Sequence, residues 1–216
     1  MKIHEGQPMR KDGAPLDEAA AALILLHGRG GSADDMIELG RLLAPADSKV
    51  AILAPQAAGG TWYPQRFLAP LQQNEPYLSS ALGVVAGIIA KLSSLGIPRR
   101  RVVLAGFSQG ACLALEFAVR HPQRYGGVAG LSGAVIGPPG LVRDAAGSFG
   151  GTPVFLGCGD MDPHIPAASV RESAAIFRRL EADVVERIYP GLPHTVSDDE
   201  IAAVSGIIRR LREVRA

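Results

Sequence analysis

The chain has 216 residues, of which 47% are hydrophobic and 20% are charged, a balance typical of a globular protein and not of a disordered one. Its net charge is only +1, and the basic residues are scattered apart from residues 99–101 and 209–215. We interpret these two clusters as a solvated turn and the wet face of a helix, which argues against nucleic-acid binding. The length predicts one domain over residues 1–216.

The first predicted elements are strands, since short runs of branched apolar residues recur along the chain. Most of these runs are continuously apolar, which is typical of parallel strands buried on both faces. The first 20 residues are less regular and suggest a short edge strand or a hairpin. The runs lie at residues 22–26, 50–54, 102–105, 127–131, 154–156 and 184–189.

Helical periodicity separates these runs, most clearly over residues 78–92 and 170–180. Strands that alternate with helices predict an α/β fold: a mostly parallel central sheet with helices on both faces and ligands bound beyond the carboxyl ends of the strands. Residues 57–76 and 136–152 form longer connections rich in Gly and Pro, which is typical of binding loops.

No export, membrane or metal signal is recognised. The N-terminus lacks the apolar core of a signal peptide, and no apolar run reaches membrane-spanning length, so we expect a cytoplasmic protein without stable membrane insertion. Cys112 and Cys158 fit no zinc or redox spacing and are predicted to be buried free thiols. No metal and no cofactor is expected.

The strongest motif is Gly106-Phe107-Ser108-Gln109-Gly110, which stands between a predicted strand and a predicted helix. A sharp strand-to-helix turn pushes its middle side chain outward, and the flanking glycines remove side chains that would collide there. We therefore interpret Ser108 as a nucleophile. Ser132 lacks the flanking glycines and is interpreted as an ordinary strand-end serine.

A serine hydroxyl needs a base to take its proton and a carboxylate to orient that base. In this kind of fold the acid and then the histidine follow the serine along the chain. His194 lies in a loop between a strand and the last helix, and we favour it as the base. His164 is interpreted as a residue of the pocket rim or surface. Asp160 and Asp162 both follow a strand and compete for the role of acid, unless either only caps a turn.

The oxyanion of a tetrahedral intermediate needs backbone N–H donors. In this architecture one donor follows the nucleophile, which indicates Gln109, and the other lies after an earlier strand. The loop over residues 26–31 fits the second position. Arg29 N–H is the preferred donor and Gly28 N–H the alternative. The loop lacks the lysine and the glycine spacing of a phosphate-binding loop.

Six strings, in this order, resemble the phospholipase/carboxylesterase family that includes acyl-protein thioesterases. They are Leu26-His27-Gly28-Arg29-Gly30-Gly31, Ala54-Pro55-Gln56, Thr61-Trp62-Tyr63, Gly106-Phe107-Ser108-Gln109-Gly110, Gly159-Asp160-Met161-Asp162-Pro163-His164-Ile165-Pro166 and Gly191-Leu192-Pro193-His194.

The resemblance implies an α/β-hydrolase with no large cap domain that cleaves carboxylic esters, and also thioesters or lysophospholipids, without a cofactor. It assigns the acid to Asp162 and an oxyanion donor to Arg29. Two positions depart from the family pattern. Arg29 stands where thioesterase-like members usually carry Leu, which cautions against protein depalmitoylation, and Ile165 replaces Val.

Trp62, Tyr63 and Phe67 concentrate aromatic groups in the loop after the second predicted strand. We predict that they wall an acyl pocket, which makes short- to medium-chain esters the expected substrates; the alternative is that they only anchor the loop to the body. Two other functions are weighed: a dienelactone-hydrolase-like enzyme, disfavoured because its nucleophile is cysteine, and an inactive hydrolase fold that only binds. The sequence does not determine the oligomeric state and is compatible with a homodimer.

Overall fold

The computed structural model describes residues 2–45, 48–143 and 145–213, in which helices alternate with strands. Arg215, at the end of the basic C-terminal run, lies outside the described residues. The strands are β1 (Met9–Gly13), β2 (Ala21–Leu26), β3 (Val50–Pro55), β4 (Val102–Phe107), β5 (Gly127–Leu131), β6 (Pro153–Gly159) and β7 (Asp183–Tyr189). The helices are α1 (Ala33–Leu43), α2 (Tyr77–Ser94), α3 (Gln109–Arg120), α4 (Ala167–Arg179) and α5 (Asp198–Glu213).

All seven strands of the described chain join one sheet in the order β1-β3-β2-β4-β5-β6-β7. β1 pairs antiparallel with β3, and every other pairing is parallel. The predicted mostly parallel sheet is confirmed, and the irregular N-terminus contributes the edge strand β1. β2 and β3 are buried along their whole length, as their continuously apolar sequences require. β7 alternates in burial because it forms the opposite edge.

Helices cover both faces of the sheet, as predicted. α1 and α5 pack on one face, whereas α2, α3 and α4 pack on the other. α3 is buried from Gln109 to Val119 because it runs across the central strands. A capping box begins α5: Ser197 N–H donates to Glu200 Oε2 at 2.7 Å, and Glu200 N–H donates to Ser197 Oγ at 3.3 Å.

α2 departs from one expectation. The helix has 18 residues with a mean hydropathy of 1.4. By length and composition alone, it is long and apolar enough to cross a membrane. The prediction that no apolar run reaches that length is therefore wrong for α2. Core helices of soluble proteins pass the same test, and Leu78, Val85 and Ile89 of α2 are buried in the core beneath the sheet.

The carboxyl ends of β2, β4, β6 and β7 meet at one edge of the sheet because these strands run parallel. In the described parts of residues 56–76 and 132–152, the longest connections on this side, regular structure is limited to short 3-10 turns. No cap domain is inserted there, and the loops after these four strands converge on open space.

Candidate active site

Ser108 sits at the sharp turn between β4 and α3. Its backbone has φ 54° and ψ −119°, a left-handed conformation that a non-glycine residue adopts only under constraint. A Cβ at Gly106 would collide with the main chain of Gly110, and one at Gly110 would collide with the carbonyl oxygen of Leu26. These two glycines allow the turn to close tightly, and the turn presents the Ser108 side chain at the sheet edge.

The structure brings Ser108, His194 and Asp162 into one hydrogen-bonded chain. His194 Nε2 lies 2.9 Å from Ser108 Oγ, and His194 Nδ1 lies 2.6 Å from Asp162 Oδ2. An ionised carboxylate can only accept, so Nδ1 carries the proton and Nε2 accepts from the hydroxyl. Three residues that are 32 and 86 positions apart therefore stand in the relation that proton transfer from Ser108 requires.

Asp162 is held as a buried carboxylate. Burial by itself raises the pKa of this carboxyl, but hydrogen bonds from His194 and from the N–H groups of Ile165 and His164 outweigh it and leave the pKa below its ordinary value. The two N–H groups donate to Oδ1 at 3.0 and 2.8 Å, which leaves Oδ2 for His194. Asp162 is therefore charged at neutral pH and rigidly oriented.

The structure also separates the two competing acids. Asp160 forms no hydrogen bond or ion pair with His194; its Oδ1 accepts from Gly191 N–H at 2.7 Å in the loop that leads to His194. Asp160 thus has the turn role that was its alternative. His164 lies at the cavity rim, with its ring centroid 4.9 Å from that of His194.

Unpaired backbone N–H groups lie in the two segments next to Ser108, the Gly28–Arg29 turn and the start of α3. Gly28 packs so closely on Ser108 that an added Cβ would come within 3.3 Å of the serine Cβ, which puts the following residue, Arg29, next to the nucleophile. Among the described residues, the N–H groups of Gly28, Arg29 and Gln109 have no hydrogen-bond acceptor, so the preferred donor Arg29 and its alternative Gly28 both stay open. Open N–H groups in these two segments are compatible with the oxyanion donors that the sequence predicts.

Trp62 does not lie where it was predicted. It is completely buried and does not line the cavity beside Ser108, so the prediction that it walls the acyl pocket is wrong. Its indole Nε1–H donates to the carbonyl oxygen of His27 at 2.9 Å. An indole N–H needs an acceptor when buried, and here the acceptor belongs to the residue before the Gly28–Arg29 turn. Trp62 anchors one loop to another.

His27 is a second anchor, which the sequence motifs did not reveal. Its Nδ1–H donates to Gly28 O at 2.7 Å, and its Nε2 accepts from Ala57 N–H at 3.0 Å. Burial lowers the pKa of His27, so the imidazole stays neutral and keeps this tautomer. Its place at the end of a buried strand, directly before the glycine-rich loop, was the available signal.

The Gln109 side chain has a role that the motif did not reveal. Its Oε1 accepts from Trp62 N–H at 2.9 Å, and its Nε2 donates to Tyr63 O at 2.7 Å. One residue therefore offers its backbone N–H beside Ser108 while its carboxamide fixes the loop over residues 61–66. The position of Gln109 at the buried start of α3 makes both contacts possible.

A cavity of about 330 Å³ opens beside Ser108, and we call it the Ser108 cavity. Tyr63 and Phe67 line it together with Cys112 and Ile165, and all four are buried. Burial raises the pKa of Cys112 to about 12, so its thiol is not ionised at neutral pH. The Ser108 hydroxyl thus has no thiolate competitor there.

Fold and site together define the class: an α/β-hydrolase with a serine at the strand-to-helix turn. A family model described as phospholipase/carboxylesterase matches residues 13–211, and the chain belongs to that family.

Solved and curated relatives agree with this assignment. A phospholipase/carboxylesterase from Dyadobacter fermentans is 43% identical, with a TM-score of 0.90 over 96% of this chain and 98% of the other. Esterase PE8 is 26% identical, with a TM-score of 0.78 over 95% and 98% of the two chains. Acyl-protein thioesterase 1 of Saccharomyces cerevisiae is 28% identical over 91% of this chain and 95% of its own. The chain is a carboxylic ester hydrolase.

Proposed function

We propose that this protein is a serine carboxylesterase that hydrolyses short- to medium-chain carboxylic esters through an acyl-enzyme intermediate, with Ser108 as nucleophile, His194 as base and Asp162 as orienting acid. One observation carries the proposal: His194 joins Ser108 and Asp162 in one hydrogen-bonded chain, and the N–H groups of Gln109 and of the nearby Gly28–Arg29 turn are unpaired. Nucleophile, base and oxyanion donors then act on the same carbonyl group.

In the acylation step, Ser108 Oγ attacks the carbonyl carbon of the ester while His194 Nε2 accepts the hydroxyl proton. The carbonyl oxygen becomes an oxyanion and accepts hydrogen bonds from Arg29 and Gln109 N–H. Asp162 stabilises the imidazolium formed at His194. When the intermediate collapses, the carbon–oxygen bond to the leaving group breaks, and the alcohol departs with the proton from His194.

In the deacylation step, water replaces the alcohol. His194 Nε2 accepts a proton from water while the water oxygen attacks the acyl carbon. A second oxyanion forms and accepts hydrogen bonds from the same two N–H groups. Collapse breaks the bond to Ser108 Oγ, which regains its proton from His194. The balance is one ester and one water consumed, one carboxylic acid and one alcohol released.

The Ser108 cavity supports the proposed chain length. Its volume of about 330 Å³ is at the lower end for small-molecule sites. The buried side chains of Tyr63, Phe67 and Cys112 close its floor. Each acyl methylene buried there contributes about 0.8 kcal/mol until the space is filled. Efficiency should therefore peak at short to medium acyl chains.

Thioester hydrolysis is the second candidate function, favoured by the similarity to the yeast acyl-protein thioesterase. The same attack on a carbonyl carbon releases a thiol in place of an alcohol. Parallel assays with matched butyryl esters and thioesters decide which leaving group is preferred. A cytoplasmic location and a homodimer stay predictions.

The central test compares wild type with Ser108→Ala, using p-nitrophenyl acetate and butyrate and a fluorophosphonate label. Wild type should turn over both esters and take up one label per chain, and Ser108→Ala should do neither while keeping its unfolding temperature. Ser94→Ala is the matched control, since Ser94 is an exposed residue at the end of α2. A wild-type protein that neither hydrolyses nor reacts would be a binding module.

A further inference from the structure

The Ser108 cavity differs in character from floor to mouth. Its floor is apolar and buried, whereas Arg29, Gln65, Arg66 and His164 line the mouth and are exposed. Two of these four residues carry a permanent positive charge. A substrate would therefore place its apolar part on the floor and meet two guanidinium groups at the entrance.

Arg29 is held rigidly at this entrance. Its Nη2 donates to Tyr63 O at 2.9 Å and to Gln65 O at 2.8 Å, and its Nη1 lies 3.4 Å from Thr61 Oγ1. All three acceptors are neutral, so the guanidinium keeps its full charge. Since its position is set before a ligand arrives, it loses little conformational entropy on binding.

Arg66 carries the second positive charge, and its side chain makes fewer hydrogen bonds than that of Arg29. Its Nη2 donates to the carbonyl oxygen of His164 at 3.3 Å across the cavity mouth. Among the described residues no other acceptor is bonded to this side chain, and no carboxylate lies within 4 Å of Arg66 or of Arg29. The remaining N–H groups of Arg66 are open to a ligand, and a guanidinium fork matches the two oxygens of a carboxylate or phosphate.

Among the residues that the structure describes, no acidic side chain balances these charges at the entrance. Within the described part of the chain, the lining of the Ser108 cavity contains no Asp or Glu. Asp162, the carboxylate behind the lining, is fully buried and is bonded to His194. The mouth is thus a local positive field on a protein whose net charge is only +1.

We propose that the preferred substrates are esters whose alcohol portion carries an anionic group, a carboxylate or a phosphate, bound at the mouth by Arg66 and Arg29. The anionic group belongs to the alcohol portion of the ester and not to its acyl portion. The acyl portion lies on the cavity floor, where no buried group would compensate the desolvation of a negative charge. This inference rests on the proposed esterase function and narrows its substrate class.

Two acetyl esters that differ in one charge test the idea. We would compare para-acetoxybenzoate with its neutral methyl ester on wild type, Arg66→Gln and Arg100→Gln. Arg100 is an exposed arginine in the 3-10 turn before β4, remote from the cavity, and serves as the matched control. The ratio of kcat/KM for the anionic over the neutral ester cancels intrinsic leaving-group reactivity when it is compared between variants.

Arg66→Gln should lower this ratio about three- to tenfold, the range expected of an exposed charge pair with hydrogen-bonded geometry. The loss should fall mainly on KM, and Arg100→Gln should keep the wild-type ratio. An unchanged ratio in Arg66→Gln would overturn the proposal, as would an equal fall in Arg100→Gln. A para-acetoxybenzyl phosphate arm shows whether phosphate or carboxylate is preferred.

Failure of the esterase function would be recognised separately, because the neutral ester would then not be hydrolysed either. In that case binding to Ser108→Ala replaces turnover, with para-hydroxybenzoate and para-hydroxybenzamide as probes in titrations monitored by NMR. Tighter binding of the anion, lost on adding Arg66→Gln, supports the basic mouth. Equal binding of both probes overturns it.

Discussion

The indole N–H of Trp62 and the carbonyl oxygen of His27 are joined by a buried hydrogen bond of 2.9 Å. Their rings also lie with centroids 5.0 Å apart. His27 directly follows β2 at the sheet edge, and Gly28 and Arg29 are the next two residues. This contact therefore links the aromatic loop after β3 to the N–H group that we assign to the oxyanion.

The first prediction follows from that link. Trp62→Phe leaves His27 O without its donor and should lower kcat about tenfold. This is less than the fall in kcat of about 10² to 10³ that follows complete loss of an oxyanion donor, because the donor is displaced and not removed. KM should change little, because Trp62 does not touch the cavity. Steady-state kinetics with p-nitrophenyl acetate measures both. A variant that changes KM alone would return Trp62 to the substrate wall.

Phe67 gives the complementary prediction about chain length. Its side chain lines the cavity floor, and Phe67→Leu should make room for about one further methylene, worth about 0.8 kcal/mol or fourfold in relative efficiency. The hexanoate-to-acetate ratio of kcat/KM should rise accordingly. Trp62→Phe is the control and should leave this ratio as in wild type. If the ratio stays constant in Phe67→Leu, acyl chains bind elsewhere.

Much of this candidate site could be predicted from the amino-acid sequence. Glycine spacing around Ser108, and the position of His194 after a later strand, are local signals that follow from backbone sterics and strand order. The aromatic loop is different, because no periodicity describes it. Its conformation depends on long-range hydrogen bonds to Gln109 and His27, so sequence alone could not tell a buried Trp62 from a pocket-lining Tyr63.

A third prediction separates the two aspartates. Asp162→Asn should reduce kcat by about 10³ to 10⁴, because the carboxamide can donate to Nδ1 and turn His194 to the wrong tautomer. Asp160→Asn keeps an oxygen for Gly191 N–H and should cost less than about tenfold, since that contact is remote from the chemistry. Activity of both variants is measured with the same ester. The reverse order would refute the choice of Asp162.

The lowered pKa of Asp162 predicts a pH effect on stability. A carboxyl whose folded pKa lies below its unfolded value stabilises the fold above the unfolded pKa, and this contribution is lost as pH falls through the folded pKa. The stability gap between wild type and Asp162→Asn should therefore narrow as pH drops from neutral into the acidic range. Urea unfolding across that range measures the gap. A gap that widens toward acid would contradict the assigned charge state.

The last prediction concerns coupling between Gln109 and Trp62. Gln109→Leu keeps the backbone N–H beside Ser108 and a similar volume, but it leaves Trp62 N–H without its acceptor and removes one of the two donors to Tyr63 O. An unpaired buried polar group costs about 1–3 kcal/mol, so the free energy of unfolding should fall, and kcat should fall as the loop loosens.

Trp62→Phe loosens the same loop by a different bond. Residues that hold one element are not additive, and the double variant should lose less stability and less kcat than the sum of the single variants, with a coupling of about 0.5–3 kcal/mol. Urea unfolding and p-nitrophenyl acetate kinetics on the four proteins complete the cycle. Phe67→Leu paired with Asp160→Asn, which share no contact, is the additive control. Additivity in the Gln109 and Trp62 cycle would mean that the carboxamide and the indole act on separate elements, and the carboxamide would then have no part in holding the oxyanion loop.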